Sequence, residues 1–102
     1  TPIFAACSSG NENMVKYLVE HGADIFEKNG EGETLLFAAC RSGNENLVKY
    51  LVESGIDILD TNFEWETPIF DACRNGNENV IKYLVEQGTD INRMNKDNKK
   101  PI

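Results

Sequence analysis

The sequence predicts an all-α repeat solenoid in which each unit is a pair of antiparallel helices followed by a projecting β-hairpin loop. The 102-residue chain contains the same 33-residue pattern three times, and a fixed period of this length indicates stacked repeats. Each copy carries apolar residues at helical spacing and glycines where its helices should end. We predict a single domain over 1–102, with repeats at 1–33, 34–66 and 67–99 and the start of another at 100–102.

The first helix of each repeat is expected to begin after a threonine. In the second copy Thr34 is the predicted N-cap, and its hydroxyl should accept a hydrogen bond from a free amide of the first turn. The other copies have Pro2 and Pro68 at the next position, where proline lacks the amide that would be left unpaired. The pattern predicts a helix over residues 35–42 that ends at Gly43.

The second helix of the same copy is predicted over residues 45–53. Asn44 is its expected cap, and Glu45 is well placed against the positive end of the helix dipole. Gly55 supplies the left-handed residue that commonly closes a helix. Helical spacing then stops, and residues 56–59 are expected to be extended chain that enters a turn.

The tip of that turn differs between copies. Gly32 occupies it in the first copy, whereas Trp65 stands at the equivalent position of the second. A bulky residue tolerates positive φ poorly. We therefore expect the second tip to have a different shape.

Three cysteines, Cys7, Cys40 and Cys73, stand one period apart. Axes of neighbouring packed helices are about 8–10 Å apart, which exceeds the Cα separation of about 7 Å that a disulfide allows. We expect three free thiols that fill the same core position in each repeat. Reduced thiols favour a cytoplasmic or nuclear location.

The charge of the chain argues against some classes of partner. Its formal net charge is −7, which opposes binding to nucleic acid and to anionic lipid. No apolar run approaches the roughly 20 residues that span a bilayer. We expect a protein or peptide partner, no nucleic acid and no membrane insertion.

Catalysis is not predicted. The single histidine, His21, precedes a helix-closing glycine, and no Cys–His pair recurs to supply a nucleophile with a base. No Cys or His spacing typical of a zinc site occurs. We expect no enzyme activity, no metal and no cofactor.

The repeated unit resembles the ankyrin repeat over the whole chain. The family signature T-P-L-H-x-A is similar to residues 1–6, 34–39 and 67–72, and its G-A-D-V-N segment is similar to residues 22–26, 55–59 and 88–92. The family histidine is replaced by Phe4, Phe37 and Phe70, which removes a His–Thr hydrogen bond. The resemblance implies a curved stack that binds proteins through a concave surface of hairpin tips and first helices.

The two ends of the chain suggest part of a larger molecule. The chain begins on the threonine of one repeat and stops at the opening of a fourth, so we expect a piece of a longer array. The close identity of the copies leaves a consensus-like origin open. Terminal repeats without a polar cap could associate end to end.

Positions that vary between copies are the candidates for partner contact. Phe63 and Trp65 stand out because Trp is enriched among binding hot spots, although either ring could instead fold onto the neighbouring hairpin. Arg41 and Arg74 near Asp71 could bind a carboxylate, or Asp71 and Arg74 could neutralise each other. The candidate residues are Ser8, Glu31, Glu33, Arg41, Ser42, Phe63, Glu64, Trp65, Glu66, Asp71, Arg74, Asn75, Lys96 and Lys99.

These observations predict a non-catalytic protein–protein interaction module. Two alternatives remain. The segment could be a structural spacer within a longer array, or the regulatory region of a larger enzyme.

Overall fold

The computed structural model describes residues 1–88, which form six helices arranged as three antiparallel pairs. No strand occurs among these residues, and the projecting loops consist of turns. The remaining residues, 89–102, include the predicted end of the third repeat and the candidate residues Lys96 and Lys99, which therefore lie outside the described part. The first helices are α1 (Pro2–Ser8), α3 (Leu35–Ser42) and α5 (Pro68–Arg74), and the second helices are α2 (Glu12–Glu20), α4 (Glu45–Glu53) and α6 (Glu78–Glu86).

The helix pairs stack side by side. Helix α3 packs between α1 and α5, and α4 packs against α6. The bounds of α3 and α4 confirm the helices predicted for the second copy. A continuous apolar core follows the stack, and α3 is its most buried helix because it has a neighbour on both sides. Fully buried members of this core include Val15, Leu35, Leu36, Leu47, Val48, Leu51, Val80 and Leu84.

Asparagines at the start of the second helices join consecutive repeats. Asn44 caps its own helix by accepting a hydrogen bond from the Leu47 amide at 3.2 Å, as the sequence predicts. Its Nδ2 also donates to the carbonyl of Gly10 in the preceding repeat at 2.8 Å. Asn77 also donates to the preceding repeat, but to the carbonyl of Cys40 at 2.9 Å and not to that of the glycine equivalent to Gly10. These bonds fix the offset between neighbouring helix pairs.

The threonine caps of the first helices differ from prediction. Thr1, Thr34 and Thr67 stand at the N-cap positions, but none of their hydroxyls caps a helix amide. The carbonyls of Thr34 and Thr67 instead accept from the amides of Phe37 and Phe70, at 3.1 and 3.0 Å. The hydroxyls of Thr34 and Thr67 are buried without a hydrogen-bond partner within residues 1–88.

The three cysteines are free thiols, as predicted. Cys7 and Cys40 are buried in the core, and burial raises the pKa of Cys7 to about 12 and also raises that of Cys40. Cys73 is exposed, so the prediction that all three fill the same core position was wrong for this one. Among the described helices, none packs over α5 on the side away from α3.

Candidate functional site

The first loop ends in a tight turn at residues 29–33, here called tip 1. Asn29 holds this turn, since its Oδ1 accepts from the amides of Glu31 at 2.9 Å and Glu33 at 3.0 Å. Its Nδ2 donates to the Glu33 carboxylate at 2.9 Å. Gly32 has φ 78°, a left-handed conformation that glycine adopts without steric cost. Tip 1 is therefore fixed by one asparagine side chain and one glycine.

The second loop repeats this geometry at residues 62–66, here called tip 2. Asn62 Oδ1 accepts from the amides of Glu64 at 2.8 Å and Glu66 at 3.1 Å. Trp65 has φ 63°, and its amide donates to the Asn62 carbonyl at 3.0 Å. The expected change of shape was wrong, because the asparagine sets the turn and holds Trp65 in a conformation that costs about 1–3 kcal/mol in a residue other than glycine.

The two asparagines shape the candidate site, and the sequence analysis did not identify them. Asn29 and Asn62 stand one repeat period apart and precede equivalent turns. A residue that recurs while its neighbours vary is a signal for a structural role. An asparagine side chain that accepts from amides two and four residues later is a recognised way to stabilise a turn.

Two aromatic side chains project from tip 2. The Phe63 ring lies against tip 1, since a Cβ atom placed on Gly32 would be 2.6 Å from Phe63 Cδ1. The Phe63 amide also donates to the carbonyl of Glu31 at 3.0 Å. Phe63 nevertheless remains 71% exposed and Trp65 61% exposed. Phe63 thus contacts the neighbouring loop and still presents most of its surface to solvent.

Five charged side chains link the tips to the first helices, and we call them the charge network. Arg41 pairs with the Glu33 carboxylate, and its Nε donates to Asp71 Oδ2 at 3.2 Å. Arg74 contacts Asp71 Oδ1 at 2.7 Å and Glu66 Oε2 at 2.5 Å. The network joins tip 1, α3, α5 and tip 2. Asp71 and Arg74 do neutralise each other, and Arg41 shares the same carboxylate.

Burial and pairing act in opposite directions on the carboxylates of this network. Burial favours the neutral form of Glu33, but hydrogen bonds from Arg41 and Asn29 outweigh it and hold its pKa below the ordinary value. Burial raises the pKa of Asp71 above the ordinary value despite the attraction of Arg41 and Arg74. Glu33 and Asp71 are each only 5% exposed, so the two arginines and the partly exposed Glu66 form the accessible surface of the network.

Three other candidate residues lie at the C-terminal ends of the first helices. Ser8 is an exposed residue at the end of α1, and Asn75 is the exposed C-cap of α5. Ser42 is partly buried and donates to the Ala39 carbonyl at 2.6 Å. Within residues 1–88 no hydrogen bond or ion pair joins these three side chains to the tips or to the charge network. The tips and the network form one arrangement, and these serines and Asn75 stand apart from it.

The loops that carry the tips are strongly acidic. Residues 24–33 contain four carboxylates and one lysine, and residues 57–66 contain four carboxylates and no basic residue. Lys28 forms an ion pair with Asp60 at 3.2 Å, which joins the two loops. This surface therefore attracts positive charge.

Metal sites, membrane-spanning helices and pockets are the other kinds of feature to consider in the described part of the chain. Between residues 1 and 88 no cluster of His, Cys, Asp or Glu side chains is suited to hold a metal ion. None of the six helices has the length and hydropathy that crossing a membrane requires. An open depression of about 330 Å³ at the start of α6 is lined by Gly43, Gly76 and Asn77 among others. It shares no residue with the tips or the network.

Comparison with known proteins adds family matches. A family model described as ankyrin repeats in three copies matches residues 1–62. A model of the single ankyrin repeat matches residues 64–96. No curated protein matches the chain.

Proposed function

This chain belongs to the ankyrin repeat family, whose members are generally non-catalytic protein-interaction modules, and on that premise we propose that it binds a protein or peptide through tips 1 and 2 and the adjoining first helices. The binding face consists of the exposed aromatic residues of tip 2, the acidic loop surface and the outer atoms of Arg41 and Arg74.

One observation carries this proposal. Phe63 and Trp65 are 71% and 61% exposed on the same five-residue turn, where burial against a partner would remove a large apolar area from water. The turn is held by Asn62 and tied to tip 1, so little ordering is needed on binding. Exposed aromatics on a pre-ordered turn are typical of binding hot spots.

A spacer role within a longer array is the main alternative, and interactions between repeats favour it. The charge network and the Lys28–Asp60 ion pair hold neighbouring repeats together and would stiffen a stack. A spacer does not require exposed aromatics at a tip. The exposure of Trp65 therefore favours the binding function.

The proposal extends to the cellular location of the chain, to a regulatory role in a larger enzyme and to self-association. Free cysteines support a cytoplasmic or nuclear location. A regulatory region of a larger enzyme would use the same surface toward its own catalytic domain. End-to-end association of copies stays a prediction.

Peptide selection would test the binding function. The immobilised chain is used to select from a random peptide library, and the affinity of a selected peptide is then measured for three variants, Phe63→Ala, Trp65→Ala and Arg74→Ala. We expect each aromatic substitution to weaken binding by about tenfold or more. The Arg74 variant should have a smaller effect, since part of its side chain is engaged in the network.

Tyr17→Ala is the matched control. Tyr17 is an aromatic residue of similar exposure, 54%, on the second-helix face, and its loss should leave peptide affinity unchanged. Urea unfolding of every variant separates lost binding from lost folding. A library that yields no specific peptide, or peptides that Tyr17→Ala weakens as much as Trp65→Ala, would contradict the proposed binding face.

A further inference from the structure

The aromatic side chains of tip 2 stand beside carboxylates. The Phe63 ring lies against Gly32, and most of its surface is exposed. The Phe63 amide donates to the carbonyl of Glu31, so the two residues are neighbours through their backbones, and the Glu31 side chain is exposed. No ion pair engages Glu31 within residues 1–88. We call Glu31, Phe63 and Trp65 the aromatic patch.

The chain itself shows which groups this surface accepts. The Arg41 guanidinium lies between the carboxylates of Glu33 and Asp71, and the Arg74 guanidinium bridges Asp71 and Glu66. Both arginines run along the same row of tips and first helices as the aromatic patch. The carboxylates here are thus arranged at a spacing that guanidinium groups fit.

The chain also packs cations on aromatic rings. Lys16 Nζ lies 5.3 Å from the centre of the Tyr50 ring, and Lys49 Nζ lies 5.6 Å from the centre of the Tyr83 ring. In both cases the cation comes from the preceding repeat. The rings of Phe63 and Trp65 have no such cation over them in the described residues.

From these observations we propose that the aromatic patch receives an arginine side chain from the partner, and that the partner segment is basic. This inference rests on the proposed function and specifies its partner. The guanidinium plane stacks on the exposed surface of Phe63 or Trp65 while its N–H groups donate to the Glu31 carboxylate. The negative charge of loops 24–33 and 57–66 draws the basic segment to this surface.

Arginine fits the patch better than lysine does. A guanidinium group is planar, stacks on aromatic rings and donates to a carboxylate with two parallel N–H groups. An ammonium group is compact and strongly hydrated, so it gains less from a flat ring beside a single carboxylate. The two loops contain eight carboxylates, and Lys28, Arg41 and Arg74 pair with three of them, so an excess of negative charge remains that would repel an acidic segment.

Trp65 gives a direct signal for the test because it is the only tryptophan in the chain. Three fluorescein-labelled nine-residue peptides serve as probes, in which glycine alternates with arginine, lysine or glutamate. Unlabelled versions are titrated while Trp65 emission is recorded, and labelled versions give affinities by anisotropy. We expect the arginine peptide to change Trp65 emission and to bind about threefold or more tightly than the lysine peptide.

The expected binding should also depend on salt. Attraction between the acidic loops and the basic peptide is screened as ionic strength rises. The affinity of the arginine peptide should therefore fall between low and physiological salt, and the glutamate peptide should not bind in either condition.

Matched variants distinguish binding at the aromatic patch from attraction by the overall negative charge of the protein. Phe63→Ala should lower the affinity for the arginine peptide by about fivefold, whereas Phe26→Ala, which removes an exposed phenylalanine near Gly55, should not. Glu31→Gln should lower it by about threefold, more than Glu20→Gln, which makes the same charge change on α2. Glu31→Gln alters no packed atom, so it remains informative if Phe63→Ala fails to fold.

Several outcomes would overturn the inference. One is equal affinity of the protein for the arginine and glutamate peptides, and another is unchanged Trp65 emission when the arginine peptide saturates the protein. A third is that Glu31→Gln and Glu20→Gln lower the affinity for the arginine peptide equally. If the library selection yields peptides that require Trp65 but contain no arginine, the binding function stands and only the arginine assignment fails. If no selected peptide requires the tips, the binding function itself fails.

Discussion

At the scale of single residues, two buried threonines are the least satisfied groups of the described chain. The Oγ1 atoms of Thr34 and Thr67 are buried and contact no hydrogen-bond partner within residues 1–88. A buried polar group without a partner costs about 1–3 kcal/mol. Phe37 and Phe70, whose amides donate to the carbonyls of these threonines, have no polar side-chain atom that could pair with the hydroxyls.

Replacing Thr67 by valine should therefore not destabilise the protein. Valine has the same shape and removes the unpaired hydroxyl, so we expect the free energy of unfolding to stay the same or to rise by about 1 kcal/mol. Urea denaturation followed by circular dichroism measures this. Thr34→Val should behave alike, whereas Thr1→Val, which removes a hydroxyl that donates to Glu27, should not stabilise. A loss above about 1 kcal/mol in Thr67→Val would mean that its hydroxyl is hydrogen-bonded.

At the scale of elements, the helices could be predicted from local sequence alone. The bounds of α3 and α4 follow from apolar spacing, from Asn44 as a cap and from the left-handed glycines Gly43 and Gly55. These signals act within a few residues of the chain. The threonine caps were predicted incorrectly: the threonines stand at the N-cap positions, but their side chains make no hydrogen bond to an amide of the first turn.

The charge network could be predicted only in part. The Asp71–Arg74 pair lies within one helix turn and was visible in the sequence. The Arg41–Asp71 contact joins residues 30 positions apart, and it depends on the offset between stacked repeats. That offset is fixed by bonds such as Asn44 to Gly10, which no local pattern reveals. The prediction for the shape of tip 2 was wrong for a similar reason. The hydrogen bonds that Asn62 accepts hold Trp65 at positive φ, against the conformational preference of tryptophan.

The opposite pKa shifts in this network predict how stability depends on pH. The pKa of Glu33 lies below its ordinary value of 4.5 in the folded protein, so Glu33 stabilises the fold above pH 4.5 and loses this contribution as the pH falls through the folded-state pKa. The pKa of Asp71 lies above its ordinary value of 3.8. Ionised Asp71 therefore opposes folding at neutral pH, and this cost disappears as the pH falls through its raised pKa.

Glu33→Gln should isolate the first of these contributions. Glutamine cannot ionise, so we expect the variant to be less stable than wild type by about 1 kcal/mol at pH 7. We also expect the variant to lose less stability than wild type as the pH falls below 4.5. Urea midpoints measured at intervals of pH test this. A variant that loses stability with acid as steeply as wild type would show that Glu33 does not contribute in this range.

At the scale of the whole molecule, the stack has no common centre around which all helices fold. Its described part measures 41 × 27 × 21 Å, and each first helix packs mainly on the second helix of its own repeat and on the first helices of adjacent repeats. In such a molecule stability is approximately a sum of terms for each repeat and for each interface between repeats. The helix pair α3/α4 contributes to two interfaces, whereas the pairs at either end of the described stack contribute to one.

Equivalent leucines in the second and third repeats test this coupling. Leu51 and Leu84 stand one period apart and are both fully buried, so alanine at either position removes the same side chain and costs about 3 kcal/mol locally. We expect Leu51→Ala to shift the whole urea transition without changing its slope, because the middle pair cannot unfold without breaking both interfaces. Leu84→Ala should let the third pair unfold first, so that circular dichroism, which reports the loss of α5 and α6, changes at lower urea than the emission of Trp65 in the second repeat does. Coincident transitions for both probes in Leu84→Ala would show instead that the stack unfolds as one unit and that coupling extends beyond nearest neighbours.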